Sequence, residues 1–136
     1  GYSAEETPGG KLGPFYWLGE YNMKFVQKKV LNKIVISRYL DTYYYGDTFS
    51  ILFQNSSVLR LQTTANNGIH TPSGITVGSD NSLIEDAYGT ADSTQTAIFG
   101  KIVSKYYHIK DNENIGLKFN FDGKGKVISI YAGQFD

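Results

Sequence analysis

The chain has 136 residues, with 13 basic and 13 acidic side chains and no cysteine. The balanced charge offers no field for nucleic acid or an anionic membrane. Without cysteine there is no disulfide, thiolate nucleophile or Cys-ligated metal. The length suits one domain, or two small repeats sharing a core, and no apolar run approaches the roughly 20 residues of a transmembrane helix. Eleven Tyr and eight Phe beside a single Met and a single Trp point to a β-rich chain.

Residues 1–13, polar and rich in Gly and Pro, read as a flexible arm, such as the stub left when a leader is removed. Phe15–Leu18 is the densest apolar tetrad. Over Glu20–Leu31 two periods compete. Tyr21, Met23 and Phe25 alternate like a strand, whereas Phe25, Val26, Lys29 and Val30 space like a helix. The acidic start and basic end favour the helix. Strands follow at Lys33–Leu40, Asp47–Phe53 and Val58–Thr64, with a turn carrying Thr42 and Tyr43–Tyr45 between Asp41 and Gly46. Ala65–Ser73 is a polar connector. Gly74–Gly89 predicts a short strand at Ile75–Val77, a cap at Ser79 or Asp80, one brief helix and a glycine stop. Thr90–Thr96 reads as a polar loop. Lys101–Ile109, Ile115–Phe121 and Lys126–Ala132 are strands, the last two joined by a hairpin turn at Asp122–Gly125.

Set side by side, the halves suggest a degenerate repeat. Phe49–Phe53 answers Leu117–Phe121, and Val58–Leu61 answers Val127–Ile130. The predicted fold is therefore α+β: two repeats of a short helix plus a three-stranded antiparallel meander, sharing a sheet or core. The first repeat covers 14–64, a connector 65–73 and the second repeat 74–136. The run Gly-Ile-x-Val-Gly, a helix ending Tyr-Gly, and strands closing Leu-x-Phe-x-Phe-Asp-Gly-x-Gly resembles bacterial envelope modules. These are the β-lactamase-inhibitor-protein-like domains and the small outer-membrane assembly lipoproteins. The resemblance implies an extracytoplasmic, bacterial setting, secreted or lipoprotein-derived, with any lipid anchor lost with the leader. It also implies binding of proteins or envelope components rather than catalysis.

Candidate chemistry is sparse. His108 with Asp111 and Glu113 is the nearest approach to a hydrolase cluster, but a catalytic His needs an oriented carboxylate and a nucleophile, and turn acids are ordinarily solvated. Neither zinc nor calcium spacing occurs, and no phosphate loop is present, so no metal or cofactor is expected. Lys24, Lys28, Lys29 and Lys33 fall at helical spacing and offer a polyanion contact, although such a run is ordinarily a solvated face. Tyr39 and Tyr43–Tyr45 stand out more. Strict alternation cannot bury three successive rings on one side, and Tyr suits contact surfaces. Trp17 extends the patch if the two segments are neighbours. The expectation is a non-catalytic binding or inhibitor-like module that meets a protein or glycan partner through Tyr39, Tyr43, Tyr44, Tyr45 and Trp17. A small hydrolase and a structural spacer within a larger envelope protein are the alternatives.

Overall fold

β-branched and aromatic residues at alternate positions turn most of this chain into strands. The computed structural model describes residues 3–7, 11–18, 21–25, 33–36, 40–54, 57–71, 73–109 and 112–135. Along the chain run β1 (Ser3–Thr7), β2 (Lys11–Leu18), β3 (Tyr21–Phe25), β4 (Lys33–Ile36), β5 (Leu40–Tyr44), β6 (Phe49–Gln54), β7 (Ser57–Thr63) and β8 (Ile69–His70). Then come the helix α1 (Asn81–Tyr88), β9 (Ser93–Thr96), a 3-10 turn at Ile98–Gly100, β10 (Ile102–Ile109), β11 (Asn112–Phe121) and β12 (Val127–Gln134). Among the described residues all strand pairing is antiparallel. Eight strands form one sheet in the order β4-β5-β6-β7-β12-β11-β10-β9, and β1-β2-β3-β8 form another.

The register explains the core. Leu117, Ala132, Leu61, Ile51 and Tyr43 lie opposite one another on successive strands, as do Phe119, Ile130, Thr63 and Phe49. This face of the large sheet is buried together with Ile84 of α1, Ile69 of β8 and Ile75. Within the connector, Ile69 is part of that packing. Ile69 and Thr71 are fully buried, and Asn67 donates to the Thr48 hydroxyl (2.9 Å) while accepting from the Ile69 amide (3.2 Å).

The expected α+β repeat is overturned. Among the described residues α1 is the one α-helix, and the molecule is mostly antiparallel sheet. Where the first repeat's helix was expected, Tyr21–Phe25 is a strand paired with β2 and β8; residues 26–32 lie outside the described residues. The period-two spacing of Tyr21, Met23 and Phe25 prevailed because two neighbouring strands supply ladder hydrogen bonds, and tertiary pairing overrides weak helix propensity. The Tyr43–Tyr45 turn is displaced as well, since Leu40–Tyr44 is strand β5. Thr90–Thr96, read as loop, contains β9, and Ile75–Val77 is not a strand.

α1 forms where caps and an inward stripe coincide. Asp80 accepts from the Ser82 amide (3.2 Å) and hydroxyl (2.6 Å), and the Gly89 amide donates to the Glu85 carbonyl (2.8 Å). Ile84 and Tyr88 turn inward, while Leu83 and Ala87 are exposed. Lys105 runs its stem through buried surroundings to place its ammonium 3.1 Å from Glu85, tying β10 to the helix. The β11–β12 turn is fixed by Asp122, whose carboxylate accepts from the amides of Lys124 (2.9 Å) and Lys126 (3.0 Å).

These bonds favour the ionised carboxylates. The hydroxyl and amide of Ser82, then Lys126, hold Asp80 below the usual carboxylate range. The amides of Lys126 and Lys124 do the same for Asp122. Both folded values lie below the unfolded ones, so this stability is fully present above the unfolded carboxylate range and is lost as pH falls through the folded values. Thermal melts from neutral to strongly acid pH are expected to show a decline confined to the acid limb. Asp122→Asn should flatten that decline; an unchanged acid limb in that variant would remove Asp122 as a cause.

Candidate functional site

The other face of the large sheet carries a different set of side chains. Following the register from β10 to β5, one row reads Tyr106, Lys118, Tyr131, Gln62, Ser50 and Tyr44. Ser93 of β9 extends it at one end and the backbone position of Lys33 in β4 at the other. The adjacent row reads His108, Gly116, Gly133, Arg60, Leu52 and Thr42. Tyr44, Leu52, Arg60, Gln62, Lys118, Tyr131, Tyr106 and His108 are all half-buried. Aromatic rings are thus interspersed with hydrogen-bonding side chains along a line crossing six strands.

Two hollows lie on this face. The larger, about 350 Å³, is bordered by Thr42, Tyr44, Asp47, Ser50, Arg60 and Gln62 among others. It falls in the size class of small-ligand sites, roughly 300–1,000 Å³. The second, about 200 Å³, is bordered by Ser93, Gln95, Ser104, Tyr106, Lys118 and Phe135. Phe135 lines the second hollow, where its ring meets Tyr106 edge-on at 5.3 Å and Tyr131 at 6.4 Å. The Arg60 guanidinium lies 5.1 Å from the Phe135 ring centre, and its Nε donates to the Gln134 carbonyl (3.1 Å). Arg60 is therefore held in place on the sheet. Neighbouring polar groups also fix one another: the Ser104 hydroxyl donates to Gln95 Oε1 (2.9 Å), and the Tyr106 hydroxyl donates to the Glu113 carbonyl (2.7 Å).

The predicted aromatic patch is divided by this geometry. Tyr44 borders the larger hollow. Tyr43 packs against Phe53 with ring centres 4.6 Å apart, on the core side. Tyr45 is only 4% exposed, beside Phe49. Pleating accounts for the split, because successive strand residues point to opposite faces. Tyr39 lies outside the described residues. Trp17 sits in β2 opposite Asn22, in the other sheet. The lysine run is not a helical face: Lys24 belongs to β3 and Lys33 to β4, in different sheets, while Lys28 and Lys29 lie outside the described residues.

Of the residues of the expected hydrolase cluster, His108 and Glu113 are among those described. His108 has Asp92 as its carboxylate neighbour, at 3.8 Å from Nε2, and its amide donates to the same side chain (2.9 Å). Glu113 is exposed, and Asp111 lies outside the described residues. Among the described residues no group of three or more His, Asp or Glu side chains is placed to hold a metal ion, and no helix is long and apolar enough to cross a membrane.

Arg60, Gln62, Lys118 and Tyr131 escaped sequence reading as a site. Their signal was alternation within single strands, which sorts residues onto faces without saying which strands are neighbours. Comparison with protein-family models, curated proteins and solved structures finds no match to this chain.

Proposed function

We propose that this protein is a non-catalytic binding module that holds a neutral glycan across the open face of its large sheet. The observation that supports this reading is the row Tyr106–Lys118–Tyr131–Gln62–Ser50–Tyr44. Rings supply apolar contact at low ordering cost, and the amide, hydroxyl and ammonium groups between them supply hydrogen bonds. A chain with balanced charge, whose larger hollow is bordered by one Asp and one Arg, favours an uncharged polyhydroxylated ligand over a polyanion. An extracytoplasmic bacterial setting belongs to the same proposal. It accords with the envelope-module resemblance of Gly74–Ala132.

Affinity electrophoresis through gels containing neutral polysaccharides tests it. The native protein is expected to be retarded by at least one of them. Tyr44→Ala and Tyr131→Ala are each expected to weaken retention about tenfold, roughly 1.4 kcal/mol, while circular dichroism stays native. Tyr43→Ala and Tyr45→Ala should instead lower stability, because the Tyr45 ring lies in the core and the Tyr43 ring packs against it. Unretarded migration of the native protein in every gel would sink the glycan reading.

A further inference from the structure

We infer that β9 is a docking edge for a second copy of this chain. In the large sheet β9 is a terminal strand, bonded to β10 on one side with no strand beyond it among the described residues. All four of its residues are exposed. Sheet edges of this kind are ordinarily blunted by Lys, Pro or a bulge, because open amides and carbonyls accept another strand. The stretch Ser93–Gly100, STQTAIFG, carries no charge and no proline. The irregularity in the β9–β10 ladder falls at Ile102–Ser104, in β10. The opposite edge, β4, opens on a lysine.

Directly beyond β9 the chain presents apolar surface. Ile98 is 82% exposed and Phe99 is 97% exposed. Phe99 also has φ 75°, the one positive value among the described non-glycine residues. That conformation is costly for a bulky residue. Burial against another molecule is the kind of gain that offsets such a cost.

The strand's own sequence argues for a second copy as the occupant. A twofold antiparallel pairing centred on Gln95 sets Thr94 opposite Thr96 and Ser93 opposite Ala97. Thr–Thr pairs across strands are favourable, and no like charges meet. The equal numbers of acidic and basic residues remove long-range repulsion between copies. A twofold axis perpendicular to the sheet keeps the same face of both copies on one side. The open faces would then adjoin, with Ser93 and Gln95 of the second hollow next to the junction. The inference stands on the edge alone and does not require the glycan reading.

The test is the mass of the full chain in solution by sedimentation equilibrium from low to high micromolar concentration. The native protein is expected to reach the mass of two chains. Gln95→Lys, which sets two like charges against each other at the axis, should weaken association at least tenfold. Phe99→Asn, which tolerates the backbone conformation while removing the ring, should weaken it several-fold. Both sites are exposed, so the monomer's melting temperature serves as the check on folding. Amide exchange at residues 93–96 should slow as concentration rises. Tyr44→Ala should associate like the native chain, which separates this outcome from loss of glycan binding. A native protein that stays monomeric throughout overturns the inference, as does a folded Gln95→Lys variant that pairs as tightly as native. Protection of residues 93–96 that requires an added extended peptide, in a monomer, also overturns it.

Discussion

Gly133→Ala is expected to lower stability by roughly 3–5 kcal/mol, adding the cost of a strained backbone conformation to that of an overpacked site. Gly133 has φ 148°, within the region that side-chain-bearing residues avoid. A Cβ there would lie 2.5 Å from the Arg60 Cα and against the Leu59 carbonyl oxygen. Its cross-strand partner Gly116 is confined in the same way, with a Cβ 2.7 Å from the His108 Cα and against the Tyr107 carbonyl oxygen. These obstacles are backbone atoms and cannot swing aside as a flexible side chain would. The two glycines sit between His108 and Arg60 in one row, so the close approach of four strands depends on them. Glycine within a strand commonly marks such an approach. Urea unfolding of Gly133→Ala beside Gly123→Ala measures the effect. Nothing lies within 4 Å of a Cβ at Gly123, and that substitution should fall within about 0.5 kcal/mol of native. Against a typical domain stability of about 5–15 kcal/mol, the Gly133 loss is large enough to shrink the folded population visibly. Equal costs at the two positions would refute the proposed crowding.

Local order was legible in the residues; the neighbours were not. The cap at Asp80, the stop at Gly89 and the Asp122–Gly125 turn are decided within a few positions by side-chain oxygens and glycine, and the structure forms each of them. The face shared by Ser104, Tyr106 and His108 also follows from alternation alone. What alternation cannot supply is the pairing of β7 with β12, which joins Arg60 to Gly133 and Gln62 to Tyr131 across some seventy residues of chain. That pairing makes one sheet and one open face, so the site became visible only with it. The tyrosine run misled for a related reason. Three consecutive rings looked like a patch in a turn, but once Leu40–Tyr44 is a strand, pleating sends Tyr43 to the core and Tyr44 to the groove. Over Tyr21–Phe25 the expected helix gave way to a strand because two period assignments fit the same side chains, and only partner strands could choose between them.

Phe119→Ala is expected to cost about 3–5 kcal/mol, the range for removing a large buried aromatic side chain. The Phe119 side chain is fully buried, and its ring centre lies 6.0 Å from that of Tyr88 and 6.1 Å from that of Tyr107. Tyr88 and Tyr107 are themselves 5.6 Å apart, and the Tyr107 hydroxyl donates to the Gly89 carbonyl (2.8 Å) just past the end of α1. An eight-residue helix has no independent stability in water, so α1 persists because Ile84 and Tyr88 dock on the sheet. Emptying the Phe119 position removes one of the rings that meet Tyr88. Amide exchange across Asn81–Tyr88 should therefore accelerate in Phe119→Ala by more than the global loss alone predicts. Tyr107→Phe deletes only the hydroxyl that reaches Gly89 and should cost about 1 kcal/mol. Ile128→Ala supplies the comparison, since Ile128 is 47% exposed on β12 and should cost well under the Phe119 value. If Phe119→Ala and Ile128→Ala unfold at the same denaturant concentration, the aromatic dock does not hold the helix. If Phe119→Ala alone falls and its helix amides open first, α1 is the part of the molecule that depends most on tertiary contact.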